Sequence, residues 1–248
     1  MAYIGKYPAK APLTSSDVAD GIISNAKLAQ DIISAETALG AEPADTDELL
    51  VSDAGTLKRM DYSHIKGGGG LVHILTTNIT SGTASVEFKH GTNGVVLDST
   101  YNAYFFILSD VHPATDGQPL EMTVSNDTGS SYLSSNYDYA HKGNTHGGTE
   151  MSHYNDGDSC FDLNSNNVGN AADESISVQL YLHKPSGTDG HKLISGTSTV
   201  IGNDNVVTGQ VFGGCNSTNT SAIDAVKFNF GSGNIDRGNF SMFGVANS

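Results

Sequence analysis

Tryptophan is absent from this chain of 248 residues, cysteine occurs twice, and basic residues are scarce, with 12 Lys and Arg against 27 Asp and Glu. Each shortage excludes something. Two cysteines cannot make a disulfide framework, and Cys160 and Cys215 read more readily as two buried thiols than as one bridge. A formal charge of −15 with no Lys/Arg run leaves no cationic face for a phosphate backbone, so nucleic-acid binding is not expected. No run of about 18 apolar residues exists, so no membrane insertion is expected. The opening MAYIGKYPAK has no apolar core of a secretory leader. Sequences of the H-E-x-x-H, C-x-x-C and G-x-S-x-G kinds are missing, and the one tetraglycine lacks the Lys-Ser/Thr that completes a phosphate loop. Nothing singles out a catalytic residue. The expectation is a protein that is not an enzyme and has no cofactor and no metal.

What is present points to β-structure. Glycine occurs 29 times, and Ser, Thr, Asn and Asp are abundant around it, the composition of many short strands joined by turns. Gly67 to Gly70 is the clearest linker. It divides the chain into residues 1–66, read as an oligomerisation region, and residues 71–248. After the linker, apolar and polar residues alternate at Ala84–Phe88, Leu120–Val124, Ile176–Leu182 and Val226–Phe230, which buries one face and wets the other. Tyr104-Phe105-Phe106-Ile107-Leu108 is continuously apolar and suits a central strand covered on both sides. Further strands are expected at 71–79, 93–97, 192–201, 206–212 and 239–245. The predicted fold is mainly β: a C-terminal two-sheet, jelly-roll-like sandwich preceded by an extended N-terminal arm with short repeats.

The arm begins with Pro8 and Pro12 in an extended segment and continues into a repeat. SDVADGIIS at 16–24 aligns with AKLAQDIIS at 26–34, placing Val18 on Leu28 and the pair Ile22-Ile23 on Ile32-Ile33. Helical spacing accommodates Val18, Ile22 and Ile33, but Gly21 and the doubled β-branched pairs favour short extended segments. In either form a unit this short needs neighbours to cover it, and identical chains around an axis supply them. Val18, Ile22, Ile23, Leu28, Ile32 and Ile33 are therefore the candidate anchor residues. Beyond the repeat, Glu48–Ser52 and Thr56–Met60 flank a three-residue turn, Asp53-Ala54-Gly55, and read as a hairpin.

Residues 126–173 do not read as alternating and are expected to be a long loop with one or two short strands near Glu150–Tyr154 and Cys160–Leu163. His141, His146 and His153 read as exposed loop histidines. Asp156-Gly157-Asp158 and Asn203-Asp204-Asn205 have closely spaced oxygens, a pattern far commoner in turns than in calcium sites. Tyr132, Tyr137, Tyr139 and Tyr154 lie among Asn, Asp and Ser. Their rings have two uses open to them: packing over the sandwich edge, or presenting flat faces to a sugar.

The opening YIGK…LTSSDVADGIISNAKLAQDIIS, with its repeats of the ADGxIxxAKLA kind, resembles the N-terminal part of tailed-phage tail fibre and virion structural proteins, especially those of marine phages. DTDELLVSDAGTLKRMDYSHIK and AIDAVKFNFGSGNIDRGNFSMFGV resemble segments of the same proteins. The resemblance implies a homotrimer in a virion, synthesised in the host cytoplasm. It also implies contact with other tail or capsid proteins through residues 1–66, and an exposed C-terminal domain. Two repeat copies favour a short tail fibre or adhesin-like appendage. A capsid decoration or head-fibre protein is the alternative, and a glycan-degrading enzyme a more distant one.

Overall fold

A computed structural model describes residues 14–19, 37–41, 43–65 and 70–246. Among them there is no α-helix, and strands carry the fold. Two compact units divide the chain, Met1–Gly67 and Gly68–Ser248.

In the first unit, Ser15–Asp17 make one 3₁₀ turn, and the Asp17 carboxylate accepts both the backbone N–H and the hydroxyl of Thr14. Those two bonds hold Asp17 below the usual carboxylate range. Val18 follows in an extended conformation and is exposed. The other anchor candidates, Ile22, Ile23, Leu28, Ile32 and Ile33, lie outside the described residues. Strands β1 (Glu48–Asp53) and β2 (Thr56–Asp61) pair antiparallel. Asp53 faces Thr56, so the turn has two residues, Ala54 and Gly55, rather than the three expected, because Asp53 still pairs in the ladder. Ala54 and Gly55 both have positive φ, 47° and 86°, the type I′ geometry whose twist matches a hairpin. No residue of either strand is buried.

The second unit is a sandwich of two antiparallel sheets. Its larger sheet has the order β3-β14-β5-β10-β11-β12-β7-β8 and its smaller the order β4-β13-β6-β9. The strands are β3 (Leu71–Ile79), β4 (Val86–Lys89), β5 (Ala103–Pro113), β6 (Leu120–Ser125), β7 (Tyr137–Thr145), β8 (Glu150–Asp158), β9 (Phe161–Asp162), β10 (Ile176–His183), β11 (Ile194–Ile201), β12 (Val207–Asn216), β13 (Ala225–Phe230) and β14 (Ile235–Val245). Setting aside the hairpins β7–β8 and β11–β12 leaves eight strands that pair in nested order: β3 with β14, β4 with β13, β5 with β10, β6 with β9. A long hairpin rolled up in this way is a jelly roll. Both inserted hairpins extend one sheet, joined to each other where β12 pairs β7.

Alternation places the core as expected. Phe106, Leu108, Met122, Val124, Val178, Leu180, Phe228 and Phe240 are all buried between the sheets. Phe88, Phe106 and Phe228 meet edge to face, with centroids 5.4 to 6.3 Å apart, the arrangement that ring quadrupoles favour.

Two expectations are corrected. Residues 93–97 are a loop: Asn93 and Gly94, with φ of 52° and 79°, make a turn, while Val95 and Leu97 still plug into the core. Residues 126–173 contain two strands of nine residues, β7 and β8, besides the short β9. Their alternation is carried by Tyr and His on the buried side, which a search for aliphatic side chains passes over.

Candidate functional site

Strand β7 turns Tyr137, Tyr139 and His141 inward and leaves Ala140 and Lys142 exposed. The Tyr137 hydroxyl accepts from Val124 N at 2.9 Å and donates to Leu133 O at 3.2 Å. Tyr139 packs against Phe161, with centroids 5.1 Å apart. That approach depends on Gly214 across the pair: a Cβ there would lie 2.1 Å from Asp138 O and 2.8 Å from Phe161. Tyr137 and Tyr139 thus take the packing alternative, since buried rings present no face to a sugar. Tyr132 is half-buried, with Lys227 Nζ 4.5 Å from its ring centroid. Tyr154, 79% exposed, faces the opposite side of the large sheet. The four tyrosines do not form one surface.

Beneath Tyr139 lies a polar cluster. Its hydroxyl is 2.7 Å from Asp158 Oδ2 and 3.0 Å from Asp162 Oδ2. One hydroxyl hydrogen serves one carboxylate, and burial pushes the Asp162 carboxyl up, where it holds a proton more readily. Glu121 sits directly opposite Asp162 across β6 and β9. Its inward neighbours Met122 and Phe161 are fully buried, so the two acids share the outer face of the small sheet. Burial raises Glu121 and the Cys160 thiol as well. Glu121, Cys160 and Asp162 bring one ligand atom each within 4.8 Å of one another. His153 Nε2 is 3.9 Å from Asp162 Oδ2.

His141 and His153 are not the exposed loop residues that their spacing suggests. His141 is buried, 3% exposed; no well-formed hydrogen bond reaches either ring nitrogen, and the backbone of Asp162 lies beside it. Burial, then the neighbouring His153, lowers its pKa to about 4, so the ring is neutral near pH 7. His153 is half-buried beside it, ring centroids 5.9 Å apart. His146, at the end of the hairpin, accepts from Val207 N through Nδ1.

The other side of the large sheet carries a second feature. Directly opposed residues share a face, and one row can be followed across every strand: His73, Phe243, Phe105, Tyr181, Ser195, Gly213, Ala140, Tyr154. The first four rings touch in sequence, with centroids 5.4, 6.4 and 4.5 Å apart. His183 stacks on Tyr181 and bonds Ser195. Flanking the row are Ile107, Gln179, Thr197 and Val211, in register with one another. No Asp, Glu, Lys or Arg occurs at these positions from β3 to β12. Charge returns at the margins, with Asp110 paired to Arg237 at one end and Lys142 paired to Glu150 at the far edge. Tyr181 and Val211 are exposed, at 37% and 56%.

Sequence reading did not single out Phe105, Tyr181 or Phe243. The available signal was the unbroken run 104–108, which calls for cover on both sides. The small sheet covers Tyr104, Phe106 and Leu108; Phe105 and Ile107 point the other way. No family model, no curated protein and no solved structure matches this chain.

Proposed function

We propose that the protein is a structural component of a virion, a short tail fibre or adhesin-like appendage that works as a homotrimer. Residues 1–66 attach it, and the sandwich stands exposed. The observation that carries this reading is the uncharged, aromatic outer face of the large sheet. A surface meant for water on a chain of charge −15 would carry carboxylates. Depletion of charge with enrichment in Tyr and Phe is instead the signature of an interface core. Copies of so acidic a chain repel one another through solvent, so they meet best where neither presents charge. Phe105 and Ile107 then gain the second cover that their strand calls for. Tyr154 lies at the far edge of the same row, beside the charged margin, and is the ring left for a host-surface glycan.

The N-terminal unit supports the same reading. Leu50 and Leu57 of the β1–β2 hairpin are 74% and 68% exposed, and a two-stranded hairpin is marginal alone. Their cover comes from an assembly.

Light scattering on the full-length protein at micromolar concentration tests the proposal. A trimer is expected, and Tyr181→Asp, which puts a carboxylate in the middle of the face, should dissociate it. A monomeric wild-type protein, or a Tyr181→Asp trimer of unchanged stability to dilution, would overturn it. Imaging of particles labelled through the sandwich separates a tail position from a capsid one.

A further inference from the structure

We propose that Glu121, Cys160 and Asp162, joined by His153, bind one divalent transition metal of the zinc class. The site lies where β9, the edge strand of the small sheet, meets the inserted hairpin β7–β8.

The donor spacing suits such an ion. Zinc is held by thiolate at about 2.3 Å and by imidazole or carboxylate at about 2.0–2.2 Å. Tetrahedral donors around it therefore stand roughly 3.3–3.8 Å apart. Cys160 Sγ is 3.7 Å from Asp162 Oδ1, and the Glu121, Cys160 and Asp162 ligand atoms all fall within 4.8 Å. The remaining contacts leave the needed atoms available. Asn229 donates to Glu121 Oε2, leaving Oε1, and Tyr139 meets Asp162 at Oδ2, leaving Oδ1. His153 Nε2 stands outside this triad, 3.9 Å from Asp162 Oδ2 on a side chain 41% exposed, and would turn to reach the fourth position.

Charge points the same way. Glu121, Asp158, Asp162 and Cys160 converge here, and among the described residues no Lys or Arg pairs with any of them. A divalent cation would supply the positive charge that this group of acids lacks, and the Cys160 proton leaves to solvent as the thiolate binds. A thiolate among the donors selects zinc-like ions over calcium or magnesium.

Independent of the acids and the thiol is His141. Buried polar groups are nearly always hydrogen-bonded, yet no well-formed hydrogen bond reaches either nitrogen of this imidazole, 3% exposed, and the polar group beside it is the backbone of Asp162, itself one of the three donors. It packs edge-on against Tyr139 and His153, centroids 5.4 and 5.9 Å away, both members of the cluster. The ion would tie β6, β8 and β9 together, fastening the inserted hairpin to the sandwich.

Cobalt(II) titration of the full-length protein tests this directly, because cobalt takes zinc-type sites and a bound thiolate adds a near-ultraviolet charge-transfer band. One equivalent per chain should give that band with tetrahedral ligand-field absorption, and zinc should displace it. Cys215→Ser should leave both unchanged, and Cys160→Ser should remove the charge-transfer band. Glu121→Gln, nearly isosteric, should weaken binding by more than about tenfold while the fold persists. A wild-type protein that gives no thiolate band, or a Cys160→Ser protein that keeps it, would overturn the proposal, and the wild-type titration decides even if a variant fails to fold.

Discussion

Phe105 and Tyr181 stack across β5 and β10 on the outer face of the large sheet, ring centroids 4.5 Å apart and planes 29° from parallel. Phe105 is 7% exposed and Tyr181 37%. The inner ring is thus covered by its neighbours, and the outer one is offered to whatever lies beyond. The pair links the fold of one chain to association between chains, and the two effects can be measured apart.

Within one chain, a stacked pair contributes about 0.5–1.5 kcal/mol beyond area burial. A double-mutant cycle with Phe105→Leu and Tyr181→Leu, read by urea unfolding at a concentration where the protein is monomeric, should return a coupling of that size. At higher concentration, where copies associate, the cost of Tyr181→Leu should grow with concentration. A cost that does not change with concentration would place the pair in the fold alone.

The pH dependence of stability should carry the mark of His141. Its pKa falls from 6.5 to about 4 in the folded chain, because burial and then His153 disfavour the cation. Between those values the unfolded chain binds a proton that the folded chain does not, so stability rises with pH across the window. The contribution is present above pH 6.5 and is lost as pH falls towards 4, reaching at most about 3 kcal/mol. Glu121 and Asp162 are shifted upward by burial. They act with the opposite sign, since each binds a proton more readily folded than unfolded. Comparing wild type with His141→Phe isolates the histidine: the variant should lose much less stability between pH 7 and pH 5. Parallel pH profiles would show that the imidazole titrates as it does in water.

Much of the fold was legible in the sequence, for a definite reason. Where the strand alternates aliphatic with polar residues, as in Ile176–Leu182 or Val226–Phe230, the buried face announces itself. In β7 and β8 the inward residues include Tyr137, Tyr139, His141 and His153, types equally at home on a surface, and of these strands only the stretch Glu150–Tyr154 is legible from sequence. The sites were harder, because each depends on register. Phe105, Tyr181 and Phe243 are distant in sequence, and only the pairing of β14, β5 and β10 sets them side by side. Glu121 and Asp162 face each other only because β6 pairs β9.

Leu50 and Leu57 lie on one face of the β1–β2 hairpin, because Ser52, two residues along from Leu50, pairs with Leu57. Neither is buried, and the hairpin has no buried residue at all. Its own turn and the exposed ion pairs Lys58–Asp53 and Arg59–Glu48 add little stability. If residues 1–66 attach the chain to a virion, this leucine face is covered there, and burying each side chain contributes about 1.5–3 kcal/mol. Leu50→Thr with Leu57→Thr keeps strand-forming residues and removes most of that apolar area. The double variant should therefore enter particles at far below the wild-type copy number, measured by quantitative mass spectrometry of purified virions. Melting of the sandwich should stay unchanged, since both substitutions fall in the unit Met1–Gly67. Incorporation at the wild-type copy number would mean that the hairpin is not where the virion holds the chain, and the anchor would then have to be sought in the Ile22-Ile23 and Ile32-Ile33 repeat.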